Sequence, residues 1–346
     1  MAWTINNGSL FMNPTLYTGN GSTQSINVGF QPDFTWIKTR SGTTGTEGHR
    51  LQDAVRGSTK YLESNGTALE GTQAQGVTSF TSTGFNLGTD GSYNYNTAPI
   101  VSWNWKAGTT SGIVQGGASI TPSAYSFNQT SGFSIIKYQG TGANATVPHG
   151  LNAVPKMILF KSLANSISWI VYSSQLNISS SNCLRLNGTN AAFTESAWND
   201  TRPTTSVFSL GPHNEANNSS GETIAYCFAD VQGFSKMGSY VGNGSTNGTF
   251  VYTGFKPAFV LYKKSSGTEN WFMHDNKRQG YNPDNEYLFP DLTSAEGTVN
   301  RIDLLSNGFK ATTSDGGING SGATYIYMAF AENPITSSTG VPSTAR

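Results

Sequence analysis

Residues 61–71 read YLESNGTALEG, residues 183–193 read CLRLNGTNAAF, and residues 287–297 read YLFPDLTSAEG. One pattern runs through all three: an aromatic residue or Cys, then Leu, two variable positions, Asn or Asp, then a Thr and an Ala. If the pattern belongs to a repeated unit, it fixes both the number of modules and their length.

The flanking sequence repeats in the same order. Upstream stand YTGNG from Tyr17, YQGTG from Tyr138 and YVGNG from Tyr240. A Gly-to-Pro step into a strand follows: GFQPDFTWIK from Gly29, GLNAVPKMILFK from Gly150, GFKPAFVLYK from Gly254. Downstream come the Phe segments GFNLG, VFSLG and GFKAT, and then the closing segments IVSWNWKAG, TIAYCFAD and YIYMAFAE. From the first Tyr to the last aromatic each copy spans roughly 90 residues. Five signatures in one order, three times over, define three modules: 1–107, 125–232 and 233–335. A Gly/Ser/Thr-rich linker, 108–124, and a tail, 336–346, complete the chain.

The segments read as strands. Phe34, Trp36 and Lys38 alternate with their neighbours at period two, and Val101, Trp103 and Trp105 share one face of a closing strand. Ile224, Tyr226 and Phe228 match them, as do Ile326, Met328 and Phe330. No stretch of ten residues carries a convincing helical pattern. The expected fold is all-β: three tandem antiparallel β-sandwich modules, each with two sheets stacked around its own aromatic filling. Modules two and three, which abut without a linker, are expected to form a rigid pair.

Composition narrows the function classes. Only 12% of the 346 residues are charged, Gly occurs 40 times, and the formal net charge is zero. A neutral surface argues against generic nucleic-acid binding, which depends on basic groups displacing counterions. No apolar run approaches the ~18 residues of a membrane-spanning helix, and the first residues lack the pattern of a signal peptide, so a soluble protein made in a cytoplasm is expected. Cys183 and Cys227 have no metal or redox spacing; two buried thiols are expected, with a disulfide as the alternative. No cofactor is signalled.

The matching segments GFQPDFTWIKTRSG, HRLQDAVRGSTKYLESNGTALEG, VTSFTSTGFNLG, GSYVGNGSTNGTFVYTGFKPAFVLYK, DNKRQGYNP and the ending STGVPSTAR give the chain a resemblance. It resembles repeat-containing virion proteins of marine tailed bacteriophages. The resemblance implies jelly-roll-like modules akin to concanavalin-like lectin and SPRY sandwiches. It also implies residence in the phage particle, in a tail fibre or appendage. Expected partners are other virion proteins and a host-surface glycan, with a homo-oligomer, a trimer above others, for avidity. A capsid decoration protein and a polysaccharide hydrolase are the alternatives.

The four histidines, His49, His149, His213 and His274, form no cluster in sequence, so neither a metal site nor a catalytic group is assigned. Asp53 with Arg56 and Asp275 with Arg278 share an Asp-x-x-Arg spacing, expected to form bidentate ion pairs that pin loops. Sugar recognition needs aromatic faces beside amides and hydroxyls. Trp271, His274, Asn276, Tyr281 and Asn285 of module three, with Trp198 of module two, have that composition and are the candidate glycan-binding residues.

Overall fold

The computed structural model describes residues 5, 7–41, 47–279, 281–282 and 286–331. Among these, helix is limited to the turns Gly91–Asn94 and Asn214–Asn217 and two short 3-10 turns. Every strand pairing is antiparallel. The protein is all-β and sandwich-like.

Three sheets share one strand order. In module one Met12–Thr18, Pro99–Trp105, Phe34–Thr39 and Arg50–Asp53 lie side by side; in module three Ser235–Val241, Thr324–Ala331, Pro257–Lys264 and Trp271–Asp275 do the same. Module two repeats the order with Phe133–Gln139, Glu222–Ala229, Pro155–Ser162 and Ile170–Ser173, and adds Ala124–Asn128 on one edge. Pro155 and Pro257 open their strands at bulges, where a missing N–H breaks no ladder. A smaller sheet backs each large one, built around Gln24–Asn27, Ala145–Pro148 and Phe250–Tyr252 respectively. Between the two layers sits a private core, for example Ile26, Phe85 and Ile100 in module one and Val251, Phe309 and Tyr325 in module three.

The aromatic faces point elsewhere. Side chains alternate along a strand, so Val101, Trp103 and Trp105 turn away from their own small sheet. They meet Ile224, Tyr226 and Phe228 and Ile326, Met328 and Phe330 in one cluster that draws on all three modules. Trp105 lies 6.3 Å from Phe228, 5.5 Å from Phe259 and 5.8 Å from Phe330, ring centre to ring centre. The expectation of a separate aromatic filling per module is thus corrected. Each large sheet is covered on both faces, so its aromatic side fills a common centre and only the opposite side closes its own sandwich. In module one that opposite side includes Ser102 and Asn104, both fully buried. All three modules, not two alone, pack together. The segment 108–124 lies along module two: Thr109 pairs with Phe127, the Ile120 N–H donates to the Thr146 carbonyl, and Ile120 is buried.

The Tyr-x-Gly-x-Gly signature is a clamp. A Cβ on Gly19, Gly140 or Gly242 would lie 2.1–2.4 Å from a carbonyl oxygen of the facing turn. The second glycines, Gly21, Gly142 and Gly244, have φ of 66, 68 and 67°, a left-handed conformation open to glycine at little cost. The facing turn ends in Asn94, Asn217 or Asn319, each fully buried. The side-chain carbonyl of each accepts from the backbone N–H of Asn20, Thr141 or Asn243, at 2.7–2.9 Å. The amide of each donates to Gly88, Gly211 or Thr313. The signature Tyr adds its own tie: the hydroxyls of Tyr17, Tyr138 and Tyr240 donate to carbonyls of the same turns.

Candidate functional site

The candidate glycan residues do not converge. Trp271 is 0% exposed and lies in the common core, its indole N–H donating to the Arg185 carbonyl at 2.8 Å. His274 is equally buried, against Tyr262. Trp198 sits beneath the surface of module two, packed on Phe160 and Tyr172. Asn276 is half-buried, its backbone N–H donating to the Ala258 carbonyl. Tyr281 is 71% exposed, without the indoles at its side. Asn285 lies outside the described residues. The correction has a simple cause: large rings on Trp271–Asp275, the last strand of its sheet, and in the turn that holds Trp198 are taken by the core before any ligand can use them.

The repeated pattern of residues 61–71 holds the modules together. Its Leu, at 62, 184 or 288, is buried in the common core. Its Asn or Asp accepts the backbone N–H heading a neighbouring strand: Asn65 from His49, Asn187 from Trp169, Asp291 from Trp271. It then reaches into the next module. The N–H groups of Glu70, Ala192 and Glu296 donate to the carbonyls of Leu163, Ser265 and Arg40, at 3.2, 2.8 and 2.8 Å. The last bond joins module three back to module one, so the three seams close a ring. The indoles of Trp169 and Trp271 donate to the carbonyls of Glu63 and Arg185 across two seams. His49 occupies the third. Its Nε2 donates to the Phe289 carbonyl while Nδ1 accepts from Trp36. Burial holds this imidazole neutral, its pKa well below the usual value.

The Asp-x-x-Arg groups also sit at the seams. Asp53 pairs with Arg56 and accepts the hydroxyl of Tyr226 from module two at 2.7 Å. Asp275 pairs with Arg278 and accepts the indole N–H of Trp103 from module one at 3.0 Å. Both pairs are desolvated and hydrogen-bonded, which fits an ion pair that fixes geometry. Glu286 joins Glu296 around Arg40. Sequence reading passed over three equivalent lysines. Lys38, Lys161 and Lys263 are fully buried, and burial lowers each pKa to about 8. Lys161 Nζ donates to Thr67 across the seam, and Lys263 Nζ donates to Thr189 in the same way. The signal was present: a Lys at the same place in each strand that follows a Gly-to-Pro step. Cys183 and Cys227 are unpaired and buried, their thiols pushed up to about 12 by desolvation, which leaves them unreactive. Among the described residues no group of acids, His and Cys could hold a metal, and no helix is long and apolar enough to cross a membrane.

One concavity among the described residues is a cleft of about 460 Å³ on module two. Ser179, Ser180, Ser181, Thr194, Ser196 and Asn199 present hydroxyls and an amide, and Glu195 and Asp200 add carboxylates. Its wall is conformationally unusual. Of the five described non-glycine residues with positive φ, three lie here: Ser181 at 43°, Asn199 at 50° and Asp200 at 47°. The Ser181 hydroxyl donates to Asp200 at 2.7 Å, and the Asp200 N–H returns a bond to the same oxygen. Trp198 anchors the wall from below through its indole N–H to the Asn182 carbonyl. Glu195, Ser196, Asn199 and Asp200 line the cleft, whereas Trp198, the residue named from sequence, is buried beneath it. Strained backbone held by surrounding bonds is a recurrent property of ligand sites.

These features define a class: an all-β, sandwich-like protein whose sheets are tied to one another by a repeated loop. Residues 7–334 match the family model described as a domain of unknown function, DUF7483, and the chain belongs to that family. No curated protein and no solved structure matches it.

Proposed function

We propose that the protein is a non-enzymatic structural component of a bacteriophage virion, a tail-fibre or appendage adhesin that binds host-surface glycan in the cleft of module two. The observation carrying this reading is the cleft itself: hydroxyls, an amide and two carboxylates on a wall of left-handed residues. Such a rim matches the hydroxyl-rich edge of a saccharide, and a preformed wall lowers the ordering cost of binding. The sequence resemblance supports the placement in a virion.

The test is binding of host surface polysaccharide to the intact chain and to a Thr194→Ala, Glu195→Gln, Asp200→Asn variant with an unchanged circular dichroism spectrum. At least a tenfold loss is expected; equal binding by the variant would remove the cleft. Release of reducing sugar by the wild type would replace the adhesin with a hydrolase.

A second reading, a capsid decoration or assembly protein, draws on a separate observation. Three equivalent modules in a closed ring give one chain a threefold outline suited to a threefold position in a shell. Labelling the protein in intact particles separates tail from capsid. Both binding readings include a homo-oligomer, with a trimer favoured for avidity, which sedimentation would test.

A further inference from the structure

Triplication supplies an internal control. Where the three modules share a residue, the shared fold accounts for it; where one departs on its surface, the fold does not. The first strand of the small sheet is such a place. Ile26, Val147 and Val251 face inward, paired with Phe85, Phe208 and Phe309. Their outward neighbours differ. Module one has Ser25 and Asn27, with the Ser25 hydroxyl bonded to Asn86 across the strand. Module two has Thr146 and Pro148, and Thr146 is engaged by Ser119 and Ile120 of the segment that runs over it. Module three has Phe250 and Tyr252, 44% and 54% exposed among the described residues.

We infer that Phe250 and Tyr252 form a second, independent saccharide site, a stacking platform for an acidic polysaccharide. Rings at alternate positions of one strand lie about 7 Å apart, and each offers its face to the C–H side of a sugar. The rim is cationic. Lys236 Nζ is held by the Tyr252 carbonyl at 3.0 Å and lies 5.3 Å from that ring's centre. Lys310, directly opposite Phe250, is steadied by Asn247 at 2.5 Å. Both ammonium groups retain further donors for a uronate carboxylate. Asp303, opposite Lys310 on the other side, is the one carboxylate that register places beside it. A protein partner fits less well, because an interface core is depleted in charge and needs ~800 Å² on each side. Here two rings stand among charged neighbours.

Module one also supplies the test. Phe250→Ser with Tyr252→Asn, and separately Lys310→Asn, install the residues that module one carries at these positions, so folding is preserved; thermal melts confirm it. The intact chain is titrated with polygalacturonate and with neutral amylose. The wild type is expected to bind the polyuronate in preference to amylose. At least a tenfold loss is expected in the double variant, a smaller and salt-sensitive loss in Lys310→Asn, and no loss in Asp200→Asn of the cleft. Three binding results overturn the proposal: no polyuronate binding by the wild type, equal binding by the double variant, or equal affinity for amylose. Concentration-dependent dimerisation abolished by the double variant also overturns it, since the rings would then bury against a second copy.

Discussion

Asp291 stands where the other modules carry Asn65 and Asn187, and it does the same work, accepting the N–H that heads a strand. The difference is charge. Burial raises its carboxyl to about 7, so the folded state holds it neutral over a range in which the unfolded chain ionises it. Its contribution is fully present below pH ~4 and is lost as pH rises through 7. Asp291→Asn is uncharged at every pH. At pH 8 it should stabilise the protein by on the order of 1–2 kcal/mol, and at pH 4 by close to nothing. Thermal melts at the two pH values check this, and an equal effect at both would contradict it. Residues of this kind were half legible in sequence. The Asn/Asp position was visible as a repeat, while its partner was not, because the partner lies in a segment about 16–20 residues distant. The same limit applied to Trp271. Its amide-rich surroundings resembled a sugar site, and only the register of its strand shows that the ring turns inward.

At the scale of elements, strands were read well because alternation and the Gly-to-Pro steps mark them directly. The buried-asparagine clamp was not, since a four-residue turn leaves no periodic trace. The clamp makes a sharp prediction. Gly242→Ala would place a methyl 2.4 Å from the Gly320 carbonyl oxygen, and backbone on both sides cannot give way. The substitution should cost at least about 2 kcal/mol, measured by urea denaturation. Gly322, at positive φ but with open space around it, should lose only about 1 kcal/mol on the same change. Equal costs would mean that close approach is not what selects the first glycine of the signature.

For the whole molecule, the repeated segments were legible in the sequence, but how the sheets they form pack against one another was not. Closing-strand aromatics read equally well as filling for one sandwich or for a common centre, because hydrophobic pattern tells which face is buried and not what buries it. The ring depends on the seams, where Glu296 meets Arg40 and so returns the end of the chain to its beginning. Each large sheet is covered on one face by the other modules, so no module can stay folded once its neighbours have melted. Unfolding is therefore cooperative across the chain. Scanning calorimetry tests this most directly. The account predicts one transition with calorimetric and van't Hoff enthalpies equal; separate transitions, or a calorimetric enthalpy about three times the van't Hoff value, would show three independent sandwiches and contradict it.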